Sequence, residues 1–312
     1  MQRYLKRAKE LESEIVENRR KIHQFGGIGF DIQETSDFVF EKLQSYGLHP
    51  QRMCGTGIVC TIGSGGKTIL LRADMDALPI QEDTGLPFAC QNGTAHACGH
   101  DMHTAMLLAA AKMLSETQDE LKGTVKLMFQ PAEEALKGAT AMMEAGVLEN
   151  PKVDAAFAIH VTTGHENFPT GSIQYVRGVA FGACDMFRIT VKGKECHGAY
   201  PCRGIDPINI ESRIVTATQE LVSMELPATE EAVITFGKFH SGEASNIIPS
   251  EAVLDGTIRT LSKEARTLLK TRFKEIVEQT AATFRGQAIV EYPLETGFCI
   301  TDPDLFDQLK PT

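Results

Sequence analysis

The chain has 312 residues, which at roughly 150 residues per domain points to about two domains. Hydrophobic residues make up 42% and charged residues 23%, too apolar for a disordered chain and sufficient for a sizeable core. Asp and Glu number 41 against 31 Lys and Arg, a formal net charge of -10; with no basic block and no Arg–aromatic interleaving, nucleic acid is excluded as a partner.

The N-terminal stretch MQRYLKRAKELESEIVENRRK lacks the apolar core of a signal peptide. Leu5, Ala8, Leu11, Ile15 and Ile22 recur at helical spacing, which predicts an amphipathic surface helix. No segment approaches the roughly 20 apolar residues that span a bilayer, so no membrane partner is expected. Eight scattered cysteines without a CxxC pair predict no disulfide framework, and the expected compartment is the cytoplasm. KTILLRADMDALP reads as a buried strand ending in two aspartates, and the Gly/Pro/Asn-rich stretch 84–99 as loop. An alanine-rich helix is predicted over 101–115 and a short buried strand over 124–130, followed by Pro131 and two glutamates. A helix over 137–146 and a third buried strand over 153–160 complete the pattern. Strands alternating with helices imply an α/β fold with a mostly parallel, doubly wound sheet.

After Gly178 the pattern changes. Strands are predicted over 186–193, 232–240, 252–260 and 287–292, with helices over 207–224 and 262–285. That β-α-β-β-α-β order is the ferredoxin-like motif. The expected division is 1–180 for a catalytic domain, 181–292 for an inserted ferredoxin-like domain and 293–312 for an incomplete return to the first.

Three predicted strands of the first domain end in metal-type ligands: Asp74 and Asp76, then Glu133 and Glu134, then His160. In open α/β sheets ligands bind beyond the carboxyl ends of the strands. The loop HACGHDMHT adds Cys98, His100 and His103, and thiolate, imidazole and carboxylate are the ligands of zinc-like metals. Each has a plainer reading. Cys98 could be a small buried hydrophobe, Asp101 could charge a helix N-terminus, and Asp74 and Asp76 could cap a turn. His96 and His103 read as structural or supporting rather than as ligands. Glu133 and Glu134 are adjacent, so on most backbones their side chains diverge, which suits one carboxylate on a metal and the other on its water; the plainer reading is an ordinary solvated helix start.

RADMDALP, HACGHDMHTA, GTVKLMFQPAEE, GAT, AIHV, HGAYP with GIDPI, ASNIIPS and GTIRT resemble, in that order, the amidohydrolase branch of the aminoacylase/carboxypeptidase metallohydrolases, which includes hippurate hydrolase and N-acyl-amino-acid hydrolases. The similarity runs from His23 to about Arg259. It implies a zinc-exopeptidase-like catalytic domain whose inserted domain acts as a lid and makes a homodimer. It implies Cys98, His100, Glu134 and His160 as metal ligands, Glu133 as general base and Asp76 as the acid that orients the site. His197 matches a histidine that reaches the partner subunit's active site, and Asn246 and Arg259 match residues that hold the substrate carboxylate. Without the family, Asn246 could only set a turn and Arg259 could only face solvent. The implied reaction is metal-assisted hydrolysis of N-acyl amino acids, with one or two divalent ions per subunit. Zinc and manganese are expected, and nickel or cobalt is compatible with the same ligands.

The sequence departs from the family pattern in three places. HQFGGIGF has Phe25-Gly26-Gly27 where relatives have Asn-Pro-Glu, and AIHVTTG lacks the usual Trp-Pro. Relatives continue for roughly 70–80 further residues, well beyond loop-length scatter, and that segment carries another histidine ligand. The last histidine here is His240, so a truncated chain or an incomplete member is expected. Two alternatives follow: a non-catalytic or weakly active metal-binding remnant, and a thiol-redox protein using Cys98, whose nearest cysteine is Cys90.

Overall fold

The computed structural model describes residues 2–162 and 169–309. The chain forms two compact units, Met1–Thr170 and Gly171–Thr312.

In the first unit the N-terminal segment is two helices, α1 (Gln2–Glu10) and α2 (Glu12–Phe25), where a single amphipathic helix is predicted. The break falls at Leu11, which is buried while α1 itself buries nothing. α3 (Gln33–Ser45) follows, and its Val39 and Leu43 enter the core. Then come β1 (Gln51–Met53), β2 (Gly57–Gly63), β3 (Thr68–Asp74), α4 (His100–Ser115), β4 (Thr124–Gln130), α5 (Gly138–Glu144) and β5 (Ala155–Ala158).

The sheet order is β1-β2-β4-β3-β5. β3 is parallel to both β4 and β5, as an α/β crossover fold requires. The expected mostly parallel sheet is in fact mixed, because β1 and β2 add as an antiparallel hairpin and β2 is antiparallel to β4. The cause is local. A parallel connection needs a crossover of about a dozen residues or more, whereas Cys54 and Gly55, at φ 53° and 82°, reverse the chain at once.

Alternation along the strands serves both faces. Ile58, Cys60, Ile62, Leu127 and Phe129 meet residues of α2, α3 and α4, while Val59, Leu70 and Met128 meet Met142 of α5 and Val147. Lys126 is the exception in β4. It is only 2% exposed, and its ammonium donates to the carbonyls of Val147, Glu149 and Pro151 at 3.0, 2.6 and 2.9 Å.

The second unit holds β6 (Gly178–Phe181), β7 (Ala183–Lys192), β8 (Cys196–His197), α6 (Pro207–Glu220), β9 (Ala232–Ser241), β10 (Ile247–Ile248), β11 (Glu251–Thr260), α7 (Lys263–Thr283), β12 (Gln287–Thr296), β13 (Cys299–Thr301) and α8 (Pro303–Leu309). β12-β7-β11-β9 form an antiparallel sheet in the predicted β-α-β-β-α-β order. Phe187, Ile189, Leu254 and Ile258 of the sheet pack against Ile210 and Ile214 of α6 and Leu269, Phe273 and Val277 of α7. Asp206 caps α6 by accepting from the Ile208 and Asn209 amides, with Pro207 at the first helical position. β12 extends past the predicted end and carries Pro293 at a register shift between Glu291 and Leu294. β13 pairs with β6, and β8 with β10. Residues 310–312 lie outside the described residues. Among the described residues no helix is long and apolar enough to cross a membrane.

Candidate metal centre

The sequence-predicted ligands meet in the first unit, beyond the carboxyl ends of β3, β4 and β5. Cys98, His100 and His160 form one group whose ligand atoms lie within 4.8 Å of one another, and His100, Glu133 and Glu134 form a second. His100 belongs to both. It opens α4 directly after Gly99, whose left-handed φ of 84° favours glycine; a Cβ there would also stand 2.4 Å from Val161 Cγ2.

His100 Nδ1 donates to the Asp76 carbonyl at 2.8 Å, which leaves Nε2 as the lone-pair nitrogen. That Nε2 is buried without a hydrogen-bond partner, and it lies 3.8 Å from Glu134 Oε1, which is buried and unpartnered as well. Leaving such atoms unmade costs about 1–3 kcal/mol each. A bare imidazole nitrogen facing a bare carboxylate oxygen is the arrangement a divalent cation satisfies. His160 repeats the pattern: its Nδ1 donates to the Val161 carbonyl at 2.7 Å, and its Nε2 lies 3.4 Å from Cys98 Sγ. The donor set of thiol, imidazoles and carboxylate therefore fits a zinc-like ion.

Asp76 holds the glutamate pair. Its Oδ1 accepts from the Glu133 amide at 2.9 Å and its Oδ2 from the Glu134 amide at 3.2 Å. Ala132, just before the pair, has a positive φ of 51°, an uncommon conformation for a residue with a side chain. Burial, reinforced by the charges of Asp74 and Glu134, pushes the Glu133 carboxyl above its ordinary value. Burial and the charges of Glu134 and Glu133 push the Cys98 thiol up to about 12. A bound cation among these carboxylates would favour the thiolate that metal ligation needs. Cys90 gives the redox alternative no support, since it is buried and donates to Asn92 Oδ1 at 3.0 Å.

Asp74 and Arg72 enter behind the ligands. Burial alone would raise the Asp74 carboxyl, but the His103 hydrogen bond and the charges of Arg72 and His100 hold it at about 2. The Asp74 Oδ2–Arg72 Nη1 distance is 2.7 Å. For His100, burial is likewise outweighed by Asp76 and Asp74, which raise it above its ordinary value. His96 is pushed down to about 4 by burial and is outside both of these ligand groups. Sequence reasoning missed Arg72, whose signal was its place two residues before Asp74 on the same strand.

The second unit brings His197 and Asn246 together. The β8–β10 ladder pairs His197 with Ile247, and the Gly198 amide donates to the Asn246 carbonyl at 2.8 Å. The Ala199 amide donates to His197 Nδ1 at 3.1 Å. Arg259 stands apart on β11, exposed, opposite Cys184 and Val233.

The model of peptidase family M20/M25/M40 matches residues 70–309. An N-acetyl-L-cysteine deacetylase of Bacillus subtilis is 40% identical over 286 residues, covering 90% of this chain and 68% of that protein. An N-acyl-L-amino acid amidohydrolase of Geobacillus stearothermophilus is 37% identical over 274 residues, covering 86% and 73%. A crystal structure of a dinuclear metal-binding peptidase of the M20 family from Bacillus subtilis superposes with a TM-score of 0.80 at 33% identity, covering 96% of this chain and 78% of that one. The family match spans both units and runs through every strand end that carries a ligand-type residue, so the chain belongs to peptidase family M20/M25/M40.

Proposed function

We propose that the protein is a metal-dependent amidohydrolase that splits N-acyl amino acids into a carboxylate and an amino acid. The activities named for its relatives support the reaction class. The observation that carries the reading is the division between two adjacent glutamates. Both carboxylates approach His100 Nε2, Glu134 Oε1 at 3.8 Å and Glu133 Oε2 at 3.9 Å, but of the two only the Glu134 oxygen is buried without a partner. Cys98, His100, Glu134 and His160 would hold one or two divalent ions, with zinc or manganese the expected metals. Such an ion, when bound, lowers the pKa of a water from 15.7 to about 7 and polarises the scissile carbonyl.

Glu133 takes the proton from the attacking water and returns it to the leaving amine nitrogen. Its raised pKa brings the carboxylate closer to the operating range of a general base. Asp76 fixes both glutamates through their amides and sets the His100 tautomer through its own carbonyl. Asn246 and Arg259 receive the substrate carboxylate. His197 serves the active site of a partner subunit in a homodimer formed through the second unit, and the enzyme works in the cytoplasm.

The test is a pair of substitutions. Glu133→Gln lowers kcat on an N-acyl amino acid by about 10²–10⁴-fold with metal content unchanged. Glu134→Gln loses metal. Wild-type turnover in the first variant, or full metal content in the second, overturns the assignment.

A further inference from the structure

Asp74, His100 and His103 form a third cluster of ligand distance, fully buried, and His103 is in ring contact with His160 at a centroid separation of 4.6 Å. By distance alone His103 could be a ligand. Its hydrogen bonds exclude that. The Val161 backbone amide donates to His103 Nε2 at 2.8 Å, and since an amide nitrogen can only donate, Nε2 must be the bare nitrogen. The proton therefore sits on Nδ1 and is given to Asp74 Oδ1 at 2.5 Å. Both ring nitrogens are in use, so the imidazole has no lone pair left for a metal.

Val161 is held at both ends of its peptide groups. Its amide is gripped by His103, while its carbonyl accepts from His160 Nδ1 at 2.7 Å. The chain of contacts runs from Arg72 to Asp74, to His103, to the Val161 amide, and through Val161 to the His160 ring. We infer that His103 is a positioning residue: anchored by Asp74, it fixes Val161 and thereby aims His160 Nε2 toward Cys98. Resting on the metal-site reading above, the inference assigns a function to a histidine that the ligand set leaves out.

The experiment titrates Co²⁺ into the metal-free full chain, following the sulfur-to-cobalt charge-transfer band that Cys98 supplies. His160→Ala weakens binding. His103→Ala weakens it by about 10–100-fold, the range for partners that orient metal ligands, with the band still reached at saturation. His103→Gln, whose side-chain oxygen can accept from Val161, restores most of the affinity. The double variant His103→Ala/His160→Ala binds no more weakly than His160→Ala alone, because one residue acts through the other. If His103→Ala does not fold, His103→Asn keeps a donor for Asp74, loses the acceptor for Val161 and carries the same expectation. Wild-type affinity in the His103 variants beside a weakened His160→Ala overturns this inference alone, as do losses that multiply in the double variant. Unchanged affinity in His160→Ala overturns the metal-site reading and the inference with it.

Discussion

Glu211 lies on α6 with no exposed surface, and neither carboxylate oxygen has a hydrogen-bond partner among the described residues. Burial, with the charge of Glu251, pushes its pKa from 4.5 up to about 8. The folded chain therefore keeps a proton that the unfolded chain releases near 4.5. Its contribution to stability is intact below that value and is lost as pH rises through about 8. Glu211→Gln removes the titration, so its thermal midpoint relative to wild type should improve from pH 5 to pH 9, by the equivalent of about 4 kcal/mol at most. A difference that stays constant over that range would sink the argument. Gly99→Ala is expected to displace Val161 and weaken metal binding, read by the same cobalt titration, because the new Cβ would stand 2.4 Å from Val161 Cγ2. At this scale the ligand types were legible, since Cys98, His100, Glu134 and His160 announce their chemistry. Glu211 was not, because a lone glutamate in a helical stretch reads as a solvated residue. Nor was the grip on Val161, since a backbone amide has no signature in sequence.

Lys126 organises an element boundary. Its ammonium closes the turn after α5 by donating to three carbonyls of 147–151, and it does so from inside a strand. Lys126→Met should destabilise the first unit by about 2–4 kcal/mol, because buried carbonyls lose charged donors. A denaturation midpoint within error of wild type would show that water replaces the ammonium at no cost. The strand holding Lys126 was legible to the residue, 124–130, because its other positions form an apolar run of buried-strand length. The N-terminal break was harder to see. Leu5, Ala8, Leu11, Ile15 and Ile22 keep helical spacing through it, and periodicity does not register one residue at Leu11 that leaves the helix. The hairpin of β1 and β2 was only half signalled: Gly55 is a turn residue, but Cys54 beside it, also left-handed, is not.

Each unit has its own core; the proposed ligands and base lie in the first unit, and His197, Asn246 and Arg259 lie in the second. If His197 serves a partner's site, two individually inactive variants should complement. Mixing His197→Ala with Glu133→Gln under conditions of subunit exchange should give about one quarter of wild-type activity, since half the dimers are mixed and each has one complete site. No recovery despite demonstrated exchange would place the histidine within its own chain or outside the reaction.

The four-stranded sheet of the second unit has two unequal borders. On one, Pro293 removes an amide and β12 is bulged, features that discourage strand addition. On the other, β9 has no partner along its outer side among the described residues, and its Val233 and Phe239 are 55% and 43% exposed. A sheet that can accept a neighbour on both borders propagates into a fibre; one that can accept a neighbour on a single border pairs once and stops. If the proposed homodimer forms by strand addition at β9, Pro293 would limit it to a single pairing. On that reading, light scattering should show Pro293→Val growing in size with concentration and Val233→Lys/Phe239→Lys as a monomer; an unchanged size in both variants would place any self-association elsewhere.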